Sequence, residues 1–325
     1  MLKAEHGDCF LISLETMVGT VMNILVDGGT RHTYRSELKG ILLNIIKKDE
    51  TLDIIIVTHI DDDHISGIIG LFEDTDLISK LHPKIVVYNF YNSQPVCKSS
   101  NNHISYRQGN DLSALLDKYN KRESRKVKVC PAISGDILDF DDVKIYILSP
   151  LSSDRNTLND ILQKKRNQIS AFVDDYTFSI ESFDDLDEKF SSTMTNKSSI
   201  SFVISCESHA VLMMGDAPPD IVYQQLLQMN YSRTNPLKLS AIKLSHHGGE
   251  NSINKDLLDI IDCDNFLIST NGKIFKHPRK RTLVQILKSN SKAKLYLNYK
   301  RDVFTKKEIN LYDIDYREEI SILNL

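Results

Sequence analysis

IIIVTHIDDDH, at residues 54–64, joins a run of apolar residues to two histidines that bracket three aspartates. The apolar run has the composition of a short, buried strand. Adjacent carboxylates repel one another and resist ionisation unless a cation lies among them. Histidine nitrogens and aspartate oxygens are ligands that zinc and manganese accept. The stretch therefore predicts a metal site at the end of a buried strand.

The composition is that of an ordinary globular protein. A length of 325 residues allows one large domain or two modest ones. The formal net charge of −4 argues neither for nor against nucleic acid as a partner. The sequence has no apolar run near the roughly 20 residues of a membrane span, and its N-terminus lacks the apolar centre of a secretory signal. The dispersed cysteines fit reduced thiols. We therefore expect a cytoplasmic protein that does not bind membranes.

Strand and helix patterns alternate along the chain. An apolar strand pattern at 21–26 ends at Gly28, and an amphipathic helical pattern follows at 34–48. Residues 137–140 and 143–148 form a hairpin pattern. Two packed sheets with helices on their outer faces would bury such strands. We predict an α/β fold, an αββα sandwich of two mixed β-sheets flanked by helices.

The chain is expected to form a single domain over residues 1–325. Residues 151–195 are polar and acidic with weak helical periodicity, and we interpret them as a surface helical insertion. Residues 290–325 predict C-terminal strands. Residues 90–109 are polar and long for a connection, which suggests a lid over a site.

Four places repeat one design, in which an apolar strand leads into a turn with a metal-competent side chain. Side chains at strand ends in mixed α/β folds face a shared crevice, which is where ligands gather. The candidate metal ligands in these turns are His59, Asp61, Asp63, His64, Asp216, His247 and His277.

These motifs make the chain similar to metallo-β-lactamase-fold hydrolases. In motif style it most resembles the hydrolase domain of the ComEC/Rec2 competence proteins and their stand-alone relatives. The motifs that carry the resemblance are Gly7-Asp8-Cys9, Asp27-Gly28-Gly29, the His-x-Asp-x-Asp-His run at 59–64, Gly215-Asp216, His246-His247-Gly248 and His277-Pro278. The resemblance covers most of residues 1–300 and is interrupted at 151–195.

The resemblance implies a layout for two metals. His59 and Asp61 would hold one metal, Asp63 and His64 would hold the other, and Asp216 would bridge both. The histidine of the last motif would complete the second site. Two metals ~3.5–4 Å apart can hold a bridging hydroxide and clamp a scissile phosphate. The implied cofactor is a divalent metal, zinc or manganese, as one or two ions.

Two positions depart from the pattern of the wider superfamily. Asp61 stands where a histidine is usual, and its harder oxygen favours manganese more than a third nitrogen would. Ser149-Pro150 stands where a further histidine is expected, so the first metal is one ligand short. His247, Asn196 or water could be the missing ligand of the first metal. Alternatively, only one metal binds tightly.

The remaining site residues have roles in catalysis and substrate contact. We assign Asp63 to the catalytic metal and His246 to protonation of the leaving oxygen, since a histidine titrates near neutrality. The sequence leaves open which histidine of the His246-His247 pair faces the metal. Asn196, Lys276 and Arg279 are candidate substrate contacts. For the basic cluster around Lys276 the alternative is a solvated helix start, although cations there oppose the helix dipole.

The predicted function is a metal-dependent phosphodiesterase or nuclease, in which a metal-bound hydroxide attacks a phosphodiester. Its substrate would be nucleic acid or another phosphodiester. The stand-alone relatives also suggest a larger partner protein and a role in anti-phage defence. One alternative is a hydrolase of a small ester, lactam or nucleotide, because the fold alone does not select the substrate. Another is a non-catalytic binding or regulatory subunit with a partly degraded metal site.

Overall fold

A computed structural model describes residues 1–17, 19–91, 104–140, 142–153, 174–183, 194–207 and 209–324 of the protein. The lid predicted at 90–109 and the insertion predicted at 151–195 therefore lie partly outside the described residues. Helical structure begins at residue 104, so the last part of the predicted lid belongs to a helix. No helix in these described ranges is both long and apolar enough to span a membrane.

Short strands occur along the whole described chain. They are β1 (Phe10–Glu15), β2 (Val21–Val26), β3 (Ile54–Val57), β4 (Ile85–Tyr88), β5 (Lys128–Cys130), β6 (Ile137–Phe140), β7 (Val143–Ser149), β8 (Ser201–Cys206), β9 (His209–Met213), β10 (Leu237–Lys238), β11 (Ala241–Lys243), β12 (Ile261–Asp262), β13 (Asn265–Ile268), β14 (Lys294–Leu297) and β15 (Asp315–Arg317).

The helices alternate with these strands. They are α1 (Arg31–Thr33), which continues through a π-helical turn (Tyr34–Leu38) into α2 (Lys39–Lys47), then α3 (Asp62–Glu73), α4 (Thr75–Leu81), α5 (Ile104–Arg122), α6 (Met194–Lys197), α7 (Pro219–Gln228), α8 (Lys255–Leu258), α9 (Lys280–Ser289) and α10 (Lys306–Tyr312).

The strands form two large mixed sheets and a short parallel pair, β10-β12. The first sheet has the order β1-β2-β3-β4-β5, with β1 antiparallel to β2 and the other neighbours parallel. The second sheet has the order β15-β14-β13-β11-β9-β8-β7-β6. Its strands β6 to β9 are antiparallel, whereas β9, β11, β13, β14 and β15 are parallel.

Strand β3 shows how the layers are held together. All its residues are buried because it lies between two parallel neighbours and both faces of the sheet are covered. Ile54 and Ile56 pack into a core shared with the second sheet, including Phe202. Ile55 and Val57 face the opposite way, into the core formed with the helices of the first half. Successive side chains of a strand alternate between its faces, so this one strand joins both cores.

The second sheet has its own outer core. Residues of β11 and β13 pack there with residues of α7, α8 and α9. The order of layers is thus helix, sheet, sheet, helix. The predicted αββα sandwich of two mixed sheets is confirmed.

Several elements differ from the sequence-based expectations. Helix α3 begins at Asp62 rather than near residue 65, so Asp63 and His64 lie in its first turn. Helix α4 was not predicted, although Asp74 caps it by accepting a hydrogen bond from Leu77 N. Helix α10 lies between β14 and β15, in the tail interpreted as strands. Its capping box, Thr305 with Glu308, is a local signal for a helix start.

Candidate metal centre

The site lies where strands of both sheets end. Strand β3 leads into residues 58–61 and the first turn of α3. Strands β9, β11 and β13 are parallel neighbours in the second sheet, so the turns at their carboxyl ends share one edge. These turns carry Asp216, the pair His246-His247 and, farther along its loop, His277. The four motifs of the sequence are therefore brought to one place.

Asp216 lies between two groups of donor atoms. Its Oδ2 atom is 3.7 Å from His59 Nε2. Its Oδ1 atom is 3.6 Å from His64 Nε2 and 3.8 Å from His247 Nε2. Each carboxylate oxygen thus faces a different group, as a bridging ligand would.

The second group contains His64, His247 and Asp63. The Nε2 atoms of the two histidines are 3.4 Å apart. Asp63 Oδ2 lies 3.5 Å from His247 Nε2 and 4.0 Å from His64 Nε2. His247, and not His277, therefore stands beside the Asp63-His64 half of the motif.

The first group contains His59, Asp61 and Asp216. His59 Nε2 lies 3.7 Å from both Asp61 Oδ2 and Asp216 Oδ2. Burial raises the pKa of Asp61. Ser149 supplies no ligand here, since its hydroxyl donates to Ser199 O at 2.7 Å within the second sheet. His247 does not fill that place either, because its Nε2 faces the other group.

The hydrogen bonds of the histidines test whether these atoms suit a metal. His64 Nδ1 is 2.8 Å from Asp27 Oδ2, and His247 Nδ1 is 3.0 Å from Ser269 O. Both partners are acceptors, which assigns the proton to Nδ1 in the neutral rings. The Nε2 atom of each neutral ring then presents its lone pair toward the Nε2 atom of the other ring. Facing lone pairs among carboxylates are stabilised by a proton or a metal between them, and histidine nitrogens with carboxylate oxygens form a donor set that fits a divalent metal.

Two further atoms support that fit. Within the described part of the chain, His59 Nε2 and Asp216 Oδ1 are buried and have no hydrogen-bond partner. Buried polar atoms usually have a hydrogen-bond partner. Both atoms point into the groups described above, where a metal would be their partner.

The electrostatics of the site favour positive charge. Burial lowers the pKa of His247, but nearby carboxylates, Asp8 foremost, raise it to about 9. Burial also lowers the pKa of His64, yet Asp216 and its neighbours hold it well above its usual value. The same histidines hold the pKa of Asp216 well below its usual range, although burial acts the other way. The buried carboxylates therefore attract protons or a metal.

Asp27 orients two of the histidines. Besides its contact with His64, its carboxylate accepts hydrogen bonds from Thr58 N at 2.8 Å and Thr58 Oγ1 at 2.6 Å. Thr58 Oγ1 is in turn 3.0 Å from His59 Nδ1. A turn-capping role and an orienting role were both open for Asp27 in the sequence, and the contacts show the orienting one.

Asp8 lies behind His247. One donor atom from each of Asp8, His64, Asp216 and His247 fits within a 4.8 Å cluster. However, Asp8 Oδ1 is 3.2 Å from His247 Nδ1, the ring atom on the side away from Asp63. Its other oxygen is paired with Lys243. Asp8 is thus placed to orient His247, and Lys243 is a residue of this site that no sequence pattern indicated.

His246 and His277 form a separate pair beside the donors. The backbone of His246 and His247 is left-handed, with φ of 45° and 57°. The His246 ring lies 5.1 Å from the His277 ring, which packs against Gly249. Burial lowers the pKa of both His246 and His277. In this geometry His277 neighbours His246 and does not complete the second metal group.

The predicted substrate contacts occupy different environments. Asn196 is buried in α6, close in sequence to Ser199, whose hydroxyl accepts a hydrogen bond from Asp216 N at 3.0 Å. Arg279 is buried, and its Nε is 3.3 Å from Glu250 Oε1. Lys276 is half-buried in the loop before His277.

The cations at the start of α9 have a structural explanation. Asp175 accepts hydrogen bonds from the backbone N–H groups of Lys280 at 2.8 Å and Arg281 at 2.9 Å. The ammonium group of Lys280 is buried and contacts Glu308 Oε1 at 2.7 Å. Asp175 thus supplies the negative charge that the helix start requires. The dipole argument does not by itself point to phosphate at this helix.

Comparison with known proteins finds a family match for part of the chain. Residues 7–136 match the family model described as the Metallo-beta-lactamase superfamily. This part of the chain is therefore similar to the metallo-β-lactamase superfamily. Members of that superfamily are generally metallo-hydrolases. No curated protein sequence matches the chain significantly.

Solved structures with a similar arrangement are distant in sequence. The metallo-beta-lactamase fold protein YhfI from Bacillus subtilis is 13% identical, with 98% of this chain and 94% of that chain covered and a TM-score of 0.44. Zn²⁺-bound PqqB from Methylobacterium extorquens is 9% identical, with 97% and 87% covered and a TM-score of 0.40. CmlA, a diiron beta-hydroxylase from Streptomyces venezuelae, is 12% identical, with 86% and 49% covered and a TM-score of 0.37. The chain thus spans about half of the length of CmlA.

Proposed function

We propose that the protein is a metal-dependent phosphodiesterase that acts as a nuclease. The observation that carries this proposal is the position of Asp216, whose two oxygens face two separate donor groups. Such a carboxylate suits a pair of divalent ions, and paired ions recur in enzymes that cleave phosphodiesters. Ions bound there would supply an activated water and neutralise charge on a phosphate group.

The donor types also favour phosphate chemistry. The two donor groups described above contain nitrogens from three histidine rings. They also contain three carboxylates, which belong to Asp61, Asp63 and Asp216. Oxygen-rich sites suit harder ions such as manganese, which bind phosphate oxygens well. Manganese is accordingly the proposed ion, with zinc as the alternative.

The chain's own residues have distinct proposed roles. Asp27 and Asp8 hold the ligand histidines in one orientation. His246 lies beside the donors without facing them, and it is proposed to give a proton to the leaving oxygen, although burial lowers its pKa. Lys276, in the loop before His277, is proposed to contact a phosphate of the substrate. The resemblance of the sequence motifs to those of ComEC/Rec2-type domains is the reason to propose nucleic acid as that substrate.

The neighbouring residues Asp62 and Asp63 offer a matched test. Asp63 lies 3.5 Å from a ligand histidine, whereas Asp62 points to Ser66 Oγ at 2.6 Å. Both are aspartates in the first turn of α3. Purified wild type, Asp63→Ala and Asp62→Ala would be loaded with Mn²⁺ or Zn²⁺. Cleavage of single-stranded DNA, double-stranded DNA, RNA and bis(4-nitrophenyl) phosphate would then be measured.

We expect wild type and Asp62→Ala to cleave at least one nucleic acid in the presence of metal, and Asp63→Ala to be inactive. If the wild type cleaves the small phosphodiester but none of the nucleic acids, the proposed phosphodiesterase activity would stand and the proposed nuclease activity would be rejected. Failure of wild type on every phosphodiester, or equal activity of wild type and Asp63→Ala, would contradict the proposed function.

A further inference from the structure

Lys243 is a buried cation that the proposed reaction does not use. It is the last residue of β11 and has no exposed surface. A lysine is seldom fully buried unless it is paired, because its ammonium loses hydration. Its contacts should therefore show what it does for the fold or the site.

The Lys243 ammonium contacts two groups, and each leads to a metal-ligand segment. It forms an ion pair with Asp8 Oδ2. It also donates a hydrogen bond to Gly215 O at 3.0 Å. Asp8 Oδ1 lies 3.2 Å from His247 Nδ1, and Gly215 directly precedes Asp216.

The Gly215 carbonyl also connects the segment that carries Asp216 to the segment that carries His246 and His247. It accepts a hydrogen bond from His246 N at 3.1 Å as well as from Lys243. The φ of Gly215 is 51°, and a Cβ atom there would lie 2.6 Å from Ser199 Oγ. The turn before Asp216 is therefore closely confined, and the ammonium of Lys243 is one of the groups that fix it.

We infer that Lys243 is a positioning residue of the metal centre, which fixes His247 through Asp8 and fixes Asp216 through the Gly215 carbonyl. The ion pair with Lys243 holds Asp8 Oδ2, and Asp8 Oδ1 lies at His247 Nδ1. The inference rests on the metal centre of the proposed function and is independent of the substrate.

Lys280 provides a matched control. It is also a fully buried lysine, but its ammonium contacts Glu308 and backbone carbonyls on the outer side of the second sheet. Loss of the Lys243 charge leaves the buried Asp8 without its partner, and loss of the Lys280 charge leaves the half-buried Glu308 without its partner, so each lowers stability. Only loss of Lys243 should change the metal centre.

The experiment measures Zn²⁺ affinity by titration of metal-free protein, together with the visible absorption of the Co²⁺-loaded protein. The variants are Lys243→Met, Lys280→Met and the double variant Asp8→Asn/Lys243→Met. The double variant removes both charges of the pair, so it has no unpaired charge to prevent folding. Unfolding in urea monitors stability in parallel.

We expect Lys243→Met and the double variant to bind Zn²⁺ about 10–100-fold more weakly and to change the Co²⁺ spectrum, as loss of an orienting partner does in other metal sites. Lys280→Met should lose stability and keep wild-type affinity and spectrum. Wild-type affinity in the double variant, or an equal loss of affinity in Lys280→Met, would overturn the inference. Because metal binding is read directly, these results stand even if the nuclease assay is negative.

Discussion

At the scale of single residues, the partners of Nδ1 determine which nitrogen of His64 and His247 faces the site. Asp27 lies at His64 Nδ1, whereas Ser269 O and Asp8 lie at His247 Nδ1. The Nε2 atoms of both rings are thereby left to face Asp216. A carboxylate near the Nδ1 atom of a histidine also raises the basicity of that ring toward a metal. The orienting aspartates are thus as much a part of the site as the ligands.

The proposed proton donor His246 can be tested by the choice of leaving group. His246→Asn should reduce cleavage of nucleic acid by about 10²–10⁴-fold, because an alkoxide leaving group needs a proton. Hydrolysis of bis(4-nitrophenyl) phosphate should stay near the wild-type rate, since nitrophenolate leaves without one. Steady-state rates on both substrates give the comparison.

The exposed histidine of α1 serves as a control for this substitution. His32→Asn should leave both rates unchanged, since His32 lies at the surface. An equal loss on both substrates in His246→Asn would show a role in holding the site and would contradict proton donation.

At the scale of elements, helix α3 and the turn after β2 fix the metal motif together. Gly28 N donates to His64 O at 2.8 Å, and Gly67 N donates to Gly29 O at 2.8 Å. A Cβ atom on Gly67 would lie 1.8 Å from Gly28 O. The helix that carries Asp63 and His64 can approach the turn this closely only because residues 28 and 67 are both glycine.

Substitution of Gly67 should therefore disturb the site through the helix. Gly67→Ala should lower the free energy of unfolding by about 1–3 kcal/mol, because the methyl group forces α3 away from the turn. Metal affinity should fall as well, since Asp63 and His64 move with the helix. Urea unfolding and metal titration measure the two effects.

Gly40 in α2 is the matched control for this substitution. Apart from the neighbouring backbone of α2, no atom of the described residues lies within 4 Å of a Cβ atom placed on Gly40. Gly40→Ala should stabilise the protein by up to about 1 kcal/mol through helix propensity and leave metal binding unchanged. A Gly67→Ala variant that behaves like Gly40→Ala would contradict the close packing of α3.

Local signals explain which elements and ligands could be predicted. The apolar run of β3 predicted the strand end, and the motif from His59 to His64 contains four of the side chains that the structure brings together. The partner of Asp8 could not be predicted, because Lys243 resembles any lysine in a strand until the fold buries it. The cations at the start of α9 predicted an anion, but that anion is Asp175, more than a hundred residues away in sequence.

At the scale of the whole molecule, the site joins the two sheets. His59 and His64 follow β3 of the first sheet, whereas Asp216 and His247 follow β9 and β11 of the second. Ions bound between them would link both halves of the sandwich. The fold class followed from alternating apolar patterns, but this meeting of strand ends depends on long-range packing that the sequence does not display.

Metal removal should therefore destabilise the whole domain. A ligand that binds only the folded state adds about 2.7 kcal/mol to stability when its concentration is 100 times its dissociation constant. Chelation should lower the midpoint of thermal unfolding in wild type, and added Mn²⁺ or Zn²⁺ should restore it. In Asp63→Ala the midpoint should respond weakly to both. An unchanged midpoint on chelation of metal-loaded wild type would contradict a metal that links the sheets.

The position of Asp216 between two donor groups is most directly tested by metal stoichiometry. Elemental analysis would compare reconstituted wild type, His59→Ala and Asp216→Ala. If Asp216 bridges a pair of ions, wild type should hold about two per chain and His59→Ala about one, whereas Asp216→Ala should weaken both sites together. Wild-type stoichiometry in Asp216→Ala, or no metal retained by reconstituted wild type, would contradict the bridged centre.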